Sequence, residues 1–306
     1  MGQRRWFGTD GIRGRVGKVP MTPEFVASVG AAAGKFFSKE KPGGTVLVAR
    51  DTRGSGPELE GALAAGLESV GMKVLRVGVL PSGAAAMIVP AMGACAGAIL
   101  SASHNPAEDN GLKFCRGDGR KLEDAEEEQI EAFLNYENPP GFAAKTGGAD
   151  FQALPEAVEA YRKKLRAGFG PGFILRGVRV VVDAANGAAW KTAPEILKGF
   201  GAEVEAIGDR PDGKNINQGC GSEHPEKLIA AVKARKGWIG VAHDGDADRL
   251  VLVDEEGAKV DGDEVIAMAA IDALERGALP GKTVVATVMS NLGLEEAMAA
   301  QGGKVK

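Results

Sequence analysis

The sequence lacks the features that mark several large classes of protein. Its three cysteines, Cys95, Cys115 and Cys220, lie far apart. This pattern is neither a disulfide framework nor a zinc-site spacing, and it suits a reducing cytosol. The formal net charge of −4 is not the basic excess that binding to a phosphate backbone needs, so we expect no nucleic-acid partner. The basic N-terminus has neither an apolar core nor a cleavage site, so we expect no signal peptide and a cytoplasmic protein.

A membrane span is also not expected. Residues 77–107 contain no fully charged side chain, but Pro81, Pro90 and several glycines interrupt them and alanine dominates their composition. A spanning helix needs about 20 strongly apolar residues. The stretch instead predicts a short helix near residues 84–90, a turn, and a buried strand at 98–100. We therefore expect no membrane partner.

What the sequence does contain is a repeated unit. In three segments an apolar, β-branched run leads through a glycine-bearing loop into an amphipathic helix and a second apolar run. The segments begin at Thr45, Val178 and Lys282. In each, a glycine stands where a helix C-cap is wanted: Gly71, Gly201 and Gly302. One large doubly wound sheet is the alternative, but a spacing of about 100 residues or more favours separate domains.

These units predict repeated α/β domains with mixed, mainly parallel sheets covered by helices. We place the domains at 1–147, 148–254 and 255–306. The first boundary falls in the Pro- and Gly-rich stretch 135–150, and the second in the turn that begins at Asp254. The sequence stops within the second strand of the third unit, and such a sheet would lack partners. We therefore expect the third domain to be incomplete.

A carboxylate loop indicates a metal site in the second domain. Asp244, Asp246 and Asp248 alternate between two apolar runs, and carboxylates this close repel each other unless a cation lies between them. A solvated acidic turn is the alternative, which the apolar flanks disfavour. An EF-hand is excluded because Arg249 takes the position that needs glycine. Mg²⁺ with room for a phosphate oxygen fits better than Ca²⁺.

The stretch ILSASHNPAEDNGLKF, residues 99–114, gathers Ser, His, Asn, Asp and Lys in one loop. If it meets the aspartate loop, Ser103 could carry a phosphoryl group, with His104 and Lys113 as proton shuttles. A hydrolase dyad of Ser103 and His104 is disfavoured, because adjacent side chains rarely aim at each other. The P-loop-like GDRPDGKN at 208–215 is a weak match, because Asn215 stands where Ser or Thr is needed.

Several arginines are candidate phosphate ligands. Arg249 directly follows the carboxylates, and Arg13 lies among glycines that allow close approach to an anion. Arg50 and Arg53 flank Asp51 at a strand end, where ligands gather in open α/β sheets. For each arginine taken alone, a surface salt bridge is the better interpretation.

Four motifs, FGTDGIRG, SASHNP with DNGLKF, DGDADR and PDGKNIN, together resemble those of the α-D-phosphohexomutases, in the family's order along the chain. The opening motif is most similar to that of the phosphoglucosamine mutase branch. The resemblance implies that Ser103, rather than Ser101, is the phosphoserine. It also implies that Mg²⁺ is the cofactor, held by phosphorylated Ser103 and the three aspartates.

The resemblance further implies roles for the neighbouring residues. Arg249 would contact the phosphoserine, and Arg13, His104 and Lys113 would serve the reacting phosphate or acid–base work. The implied reaction interconverts glucosamine 6-phosphate and glucosamine 1-phosphate through a bisphosphate intermediate. Its product feeds UDP-N-acetylglucosamine and peptidoglycan precursors, and the family suggests a homodimer.

The sequence also departs from the family. The segment LPSGAAA at 80–86 stands where members usually have Pro-Thr-Pro. The family's sugar-reading loop and fourth domain have no counterpart in these residues, so we expect little turnover from them alone. Two alternatives stay open: a phosphoglucomutase or phosphomannomutase acting on glucose or mannose phosphates, and a non-catalytic fragment that binds magnesium and phosphate.

Overall fold

The computed structural model describes residues 4–141, 150–170 and 172–306. The strands in these ranges are β1 (Ile12–Arg15), β2 (Thr45–Arg50), β3 (Lys73–Val79), β4 (Ala96–Leu100), β5 (Asp109–Arg116), β6 (Arg179–Asp183), β7 (Glu203–Ile207), β8 (Ile239–His243), β9 (Leu250–Val253), β10 (Lys259–Val260), β11 (Thr283–Val284) and β12 (Lys304–Val305). The α-helices are α1 (Pro23–Ser38), α2 (Gly56–Ser69), α3 (Ser82–Ile88), α4 (Asp124–Ala132), α5 (Pro155–Phe169), α6 (Thr192–Gly199), α7 (Glu226–Lys233), α8 (Gly262–Glu275) and α9 (Leu292–Ala300).

Two five-stranded sheets share one topology. Their strand orders are β1-β5-β4-β2-β3 and β10-β9-β8-β6-β7. In each sheet the last three strands run parallel, and the first two add antiparallel pairings. The prediction of repeated α/β domains with mixed sheets is therefore confirmed. Four of the five strands in each sheet run in the same direction, so the sheets are mainly parallel, and only β5 and β9 are antiparallel to both of their neighbours.

The three repeated units each form a strand, a helix and a parallel strand. They are β2–α2–β3, β6–α6–β7 and β11–α9–β12. The glycine that follows each helix has a left-handed backbone, with φ of 84° at Gly71, 97° at Gly201 and 73° at Gly302. A residue with a Cβ resists this conformation, so glycine ends the helix and turns the chain toward the next strand.

Helices α1 and α2 of the first domain are in close backbone contact. Thr22 caps α1 by accepting a hydrogen bond from the Phe25 amide at 3.3 Å. A Cβ added to Gly66 on α2 would lie 2.0 Å from the Ala27 carbonyl oxygen on α1. The glycine thus lets the two helix backbones touch. Apolar side chains of both helices, Leu63 among them, then cover one face of the first sheet.

The two predicted domain boundaries can be compared with the positions of the helices and strands around them. The predicted boundary between residues 147 and 148 lies outside the described residues. Helix α5 begins just after it, and its Ala157 is buried among Leu47 and Val77 of the first domain. The second sheet continues past Asp254, because β10 turns back and pairs with β9. We therefore propose that the second domain ends after Val260.

None of the helices in the described part of the chain is long and apolar enough to cross a membrane. The short helix predicted near 84–90 is α3, and the strand predicted at 98–100 is the end of β4.

Candidate functional site

Ser103 lies in the loop that follows β4, at the carboxyl end of the parallel strands. It is 2 % exposed and has a φ of +52°. Such a conformation in a residue other than glycine costs about 1–3 kcal/mol and persists only where the surroundings enforce it. One constraint is Ser101, whose hydroxyl accepts from the Ser103 amide at 2.9 Å and donates to the Asp51 carboxylate at 2.7 Å.

A buried arginine supplies a second constraint on this loop. The guanidinium of Arg53 is fully buried and pairs with Asp51 at 2.9 Å. It also donates to the carbonyl oxygens of Ser103 at 2.9 Å, Asn105 at 2.8 Å and Asp109 at 3.0 Å. The surface salt bridge expected for Arg53 is therefore wrong: its donors satisfy the backbone of an irregular loop.

Arg50 is buried as well, but its guanidinium donates to Glu60 and to the carbonyl oxygens of Asp51 and Asp150. Its guanidinium lies 3.3 Å from the Glu60 carboxylate on α2, and its side chain is 5 % exposed. The surface salt bridge expected here is also wrong, because the pair is buried between the helix and the strand end. Arg50 therefore belongs to the packing of the first domain.

The second domain holds the same loop from the other side. Asn217, with a φ of +60°, donates to the carbonyl oxygens of Ser103 at 2.9 Å and Asn105 at 3.1 Å. Nearby, the Gly54 amide donates to the Gly213 carbonyl oxygen at 2.8 Å. The segment 208–220 is thus a loop that clamps the Ser103 backbone, and no helix starts at its Gly-Lys-Asn sequence.

The two predicted loops meet. Asp244, Asp246 and Asp248 follow β8, and each offers an oxygen within 4.8 Å of those of the other two. The turn between them passes through Ala247, with a φ of +59°. The Ser103 hydroxyl donates to Asp244 Oδ2 at 2.5 Å. A serine of the first domain therefore faces three carboxylates of the second.

The charges of the triad are only partly balanced. Burial and the neighbouring carboxylates Asp246 and Asp244 raise the pKa of Asp248 to about 6. Burial also opposes the charge on Asp246, but the Lys113 ammonium and the Ser82 hydroxyl outweigh it and hold its pKa below the usual value. Asp246 Oδ1 is buried without a hydrogen-bond partner among the described residues. Three clustered carboxylates, with one buried oxygen of Asp246 left unsatisfied, fit a divalent cation.

Lys113 on β5 is the cationic neighbour of this triad. Its Nζ lies 3.1 Å from Asp246 Oδ2, 3.7 Å from Asp248 Oδ2 and 2.9 Å from Asp10 Oδ2. Burial lowers the pKa of Lys113, but these carboxylates outweigh it and raise the pKa above its usual value. The side chain is therefore an ammonium at neutral pH, which suits charge neutralisation better than proton abstraction.

Arg13 lies next to Lys113, because Asp10 forms salt bridges with both side chains. Arg13 Nε is buried without a hydrogen-bond partner among the described residues. That unsatisfied donor suits an anion. Asp10 was not among the predicted site residues, although it lies in the FGTDGIRG motif, directly before Gly11 and three residues before Arg13.

The remaining two predicted residues behave differently. His104 Nδ1 lies 3.4 Å from Ser103 Oγ, so these adjacent side chains do approach each other. The Arg249 guanidinium instead pairs with Glu223 at 2.8 Å and is 46 % exposed. Only its backbone amide reaches the triad, at 3.2 Å from Asp244 Oδ1. The structure thus brings together Ser103, His104, Lys113, Arg13 and the three aspartates, whereas the side chains of Arg249 and Arg50 pair with glutamates elsewhere.

A serine, a carboxylate triad and basic side chains thus meet at one domain interface. This is the arrangement that the resemblance to the phosphohexomutases implies. Models of the phosphoglucomutase/phosphomannomutase family match the chain in order: alpha/beta/alpha domain I over residues 4–139, domain II over 159–257 and domain III over 261–306. The chain therefore belongs to the phosphoglucomutase/phosphomannomutase family.

Within the family, the chain is similar to proteins named phosphoglucosamine mutase. The one from Cereibacter sphaeroides is 47% identical over 300 residues, which are 98% of this chain and 67% of the relative. The one from Symbiobacterium thermophilum is 47% identical over 303 residues, covering 97% and 66%. A solved family protein from Burkholderia thailandensis has a TM-score of 0.78 at 28% identity, covering 98% and 65%. The chain spans about two thirds of the length of these relatives.

Proposed function

We propose that this protein interconverts glucosamine 6-phosphate and glucosamine 1-phosphate through a phosphoserine at Ser103. The observation that carries the proposal is the 2.5 Å contact between the Ser103 hydroxyl and Asp244, across the interface of the first two domains. The backbone on either side of this contact is held by Arg53 from one domain and Asn217 from the other. The names of the relatives, at 47% identity, support an amino sugar as the substrate.

The proposed chemistry is an exchange of phosphoryl groups. A sugar hydroxyl attacks the phosphorus on Ser103, a new P–O bond to the sugar forms, and the P–O bond to the serine breaks with its electron pair going to the serine oxygen. The proton of the hydroxyl passes to that oxygen by way of His104, and a bisphosphate results. After the bisphosphate reverses, its other phosphoryl group returns to Ser103. Lys113 and Arg13 stabilise the charge on the transferred group.

Mg²⁺ is the cation that this proposal requires. Asp244, Asp246 and Asp248 would hold it together with an oxygen of the phosphorylated Ser103. When bound, the ion supplies positive charge that neutralises the transferring phosphoryl group. The unsatisfied, buried Asp246 Oδ1 supports this assignment, because a buried oxygen without a donor is costly unless a cation meets it.

Mg²⁺ should raise the melting temperature, and the rise should grow between about pH 5 and about pH 7.5. Without a cation the folded state raises the pKa of Asp248 to about 6, so it retains a proton that the unfolded chain releases nearer pH 4. Repulsion in the triad therefore destabilises the metal-free fold as pH rises through this window. A bound cation removes that repulsion but must displace the proton at low pH.

The measurement is a thermal melt with and without Mg²⁺ at both pH values, with K⁺ at equal ionic strength as the control. A rise of equal size at both pH values, or none at either, would contradict the assignment of Asp248 as a ligand.

The substrate is tested in a chimera that joins these 306 residues to the remaining C-terminal segment of the Cereibacter sphaeroides relative. We expect a higher kcat/KM for glucosamine phosphates than for glucose or mannose phosphates. The second candidate is a phosphoglucomutase or phosphomannomutase, which the family-level matches favour equally. A preference for glucose or mannose phosphates would support that candidate. Binding of Mg²⁺ and phosphate without turnover of any hexose phosphate would support a non-catalytic role.

A further inference from the structure

Ser82 begins α3 in the first domain, yet both of its donors bind one residue of the second domain. Its hydroxyl donates to Asp246 Oδ2 at 2.6 Å, and its backbone amide donates to the Asp246 carbonyl oxygen at 3.0 Å. Ser82 is 8 % exposed and Asp246 is 1 % exposed. Bulk water is therefore excluded from the pair. One residue thus fixes both the backbone and the side chain of a member of the carboxylate triad.

The two oxygens of Asp246 have different surroundings. Oδ2 accepts from the Ser82 hydroxyl and from Lys113 Nζ, at 2.6 Å and 3.1 Å. Oδ1 is buried and accepts no hydrogen bond from the described residues. The terminal torsion of an aspartate is soft and roughly two-fold, so the donors decide which oxygen stays without a hydrogen bond and is left to a cation.

Lys113 alone does not define this orientation. Its ammonium is shared among Asp10, Asp246 and Asp248, at 2.9, 3.1 and 3.7 Å. It stands at the end of a flexible four-carbon stem and acts as a point charge. Ser82 has a short side chain and a backbone already bonded to Asp246, so its hydroxyl has one well-defined direction of approach.

We infer that Ser82 is a positioning residue, whose hydroxyl turns Asp246 so that Oδ1 is presented to the cation held by the triad. The inference rests on the proposed function only in that the triad binds a divalent cation. Carboxylates that ligate metals are themselves oriented by hydrogen bonds, and the loss of such a partner typically costs 10–100-fold in metal affinity. A residue of the first domain thereby helps to build a cation site whose carboxylates all lie in the second.

The test is a titration of the chelator-treated protein with Mn²⁺, followed by the electron paramagnetic resonance signal of the free ion. Ser82→Ala should raise the dissociation constant about 10–100-fold, and Ser82→Thr, which keeps the hydroxyl, should stay within about threefold of the wild type. Competition with Mg²⁺ gives the same ranking for that ion. Circular dichroism checks the fold of each variant.

Thr52→Val is the matched control. It removes another hydrogen bond between the domains, from the Thr52 hydroxyl to the Asn186 carbonyl oxygen at 2.5 Å, without touching the triad. Its affinity for Mn²⁺ should stay within about twofold of the wild type, because only general docking is affected. If Ser82→Ala does not fold, Ser82→Cys takes its place, and its weaker donor should cost several-fold in affinity.

The outcomes separate the two proposals. Wild-type protein that binds no Mn²⁺ would overturn the metal site of the proposed function. Wild-type protein that binds Mn²⁺, with Ser82→Ala or Ser82→Cys binding equally well, would overturn the role of Ser82 and leave the proposed function standing. An equal loss in Thr52→Val and Ser82→Ala would also overturn it, because the effect would then come from domain docking.

Discussion

Replacing Ser103 with alanine should abolish mutase turnover in the chimera, with a loss of about 10⁴-fold or more. The Ser103 hydroxyl donates to Asp244 of the carboxylate triad and lies beside His104. Its removal therefore eliminates the oxygen that would carry the phosphoryl group between the two half-reactions. The measurement is the rate of conversion of glucosamine 6-phosphate at saturating Mg²⁺.

Two further variants separate chemistry from structure. Ser103→Gly also lacks the hydroxyl but suits the φ of +52°, so equal inactivity would show that backbone strain is not the cause. Ser101→Ala removes the hydroxyl that bridges the Ser103 amide and Asp51. It should lower activity in part by loosening the loop and leave the phosphoryl acceptor in place. Normal turnover by Ser103→Ala would refute the assignment.

A polypeptide limited to these 306 residues should turn over glucosamine 6-phosphate at least about a thousandfold more slowly than the chimera. The chain spans about two thirds of the length of its relatives, and the family resemblance assigns sugar reading and the distal phosphate to the part beyond that span. Contacts to remote groups of the substrate orient the reacting one and hold the intermediate while it reverses.

The comparison needs a control for folding. Both polypeptides should bind Mn²⁺ with similar affinity, because the triad and Ser82 are present in each. Near-equal turnover of the two would show that the additional segment is dispensable, and the account of how the bisphosphate is held would then have to be abandoned.

The parts of the site that the sequence predicted are those encoded locally. Asp244, Asp246 and Asp248 share one turn, so their spacing alone brings their oxygens together. Ser103 follows a buried strand, and strand ends in such sheets gather ligands. The three repeated units were predictable for the same reason, because helical periodicity and a closing glycine are both properties of a short window.

The parts that were missed depend on contacts between distant segments. Ser82 and Asp246 meet across 164 residues, and Asn217 meets Ser103 across 114. No periodicity or spacing encodes such a contact. The motif PDGKNIN, which ends at Asn217, was singled out only through the family resemblance, and the contact of the Asn217 amide with the Ser103 backbone was not predicted.

Arginines were the least predictable residues. Arg53 is buried because an irregular loop presents carbonyl oxygens that need donors, and the sequence does not show that need. The Arg249 side chain pairs with Glu223, which shows that adjacency to a ligand in sequence does not place a side chain in the site, and its contact with the phosphoserine stays a prediction. The edge position of β1 was not predicted for a similar reason, because β1 and β5 pair across about 100 residues of the first domain.

The most direct test of the account is to locate protein-bound phosphate by peptide mapping and mass spectrometry. The protein is analysed as purified and after incubation with Mg²⁺ and a hexose 1,6-bisphosphate. The account predicts one phosphoryl group, on Ser103, at a level that rises with incubation and stays low in the presence of chelator. Phosphate on Ser101 or another residue, or no incorporation at Ser103 by a folded protein that binds Mn²⁺, would contradict it.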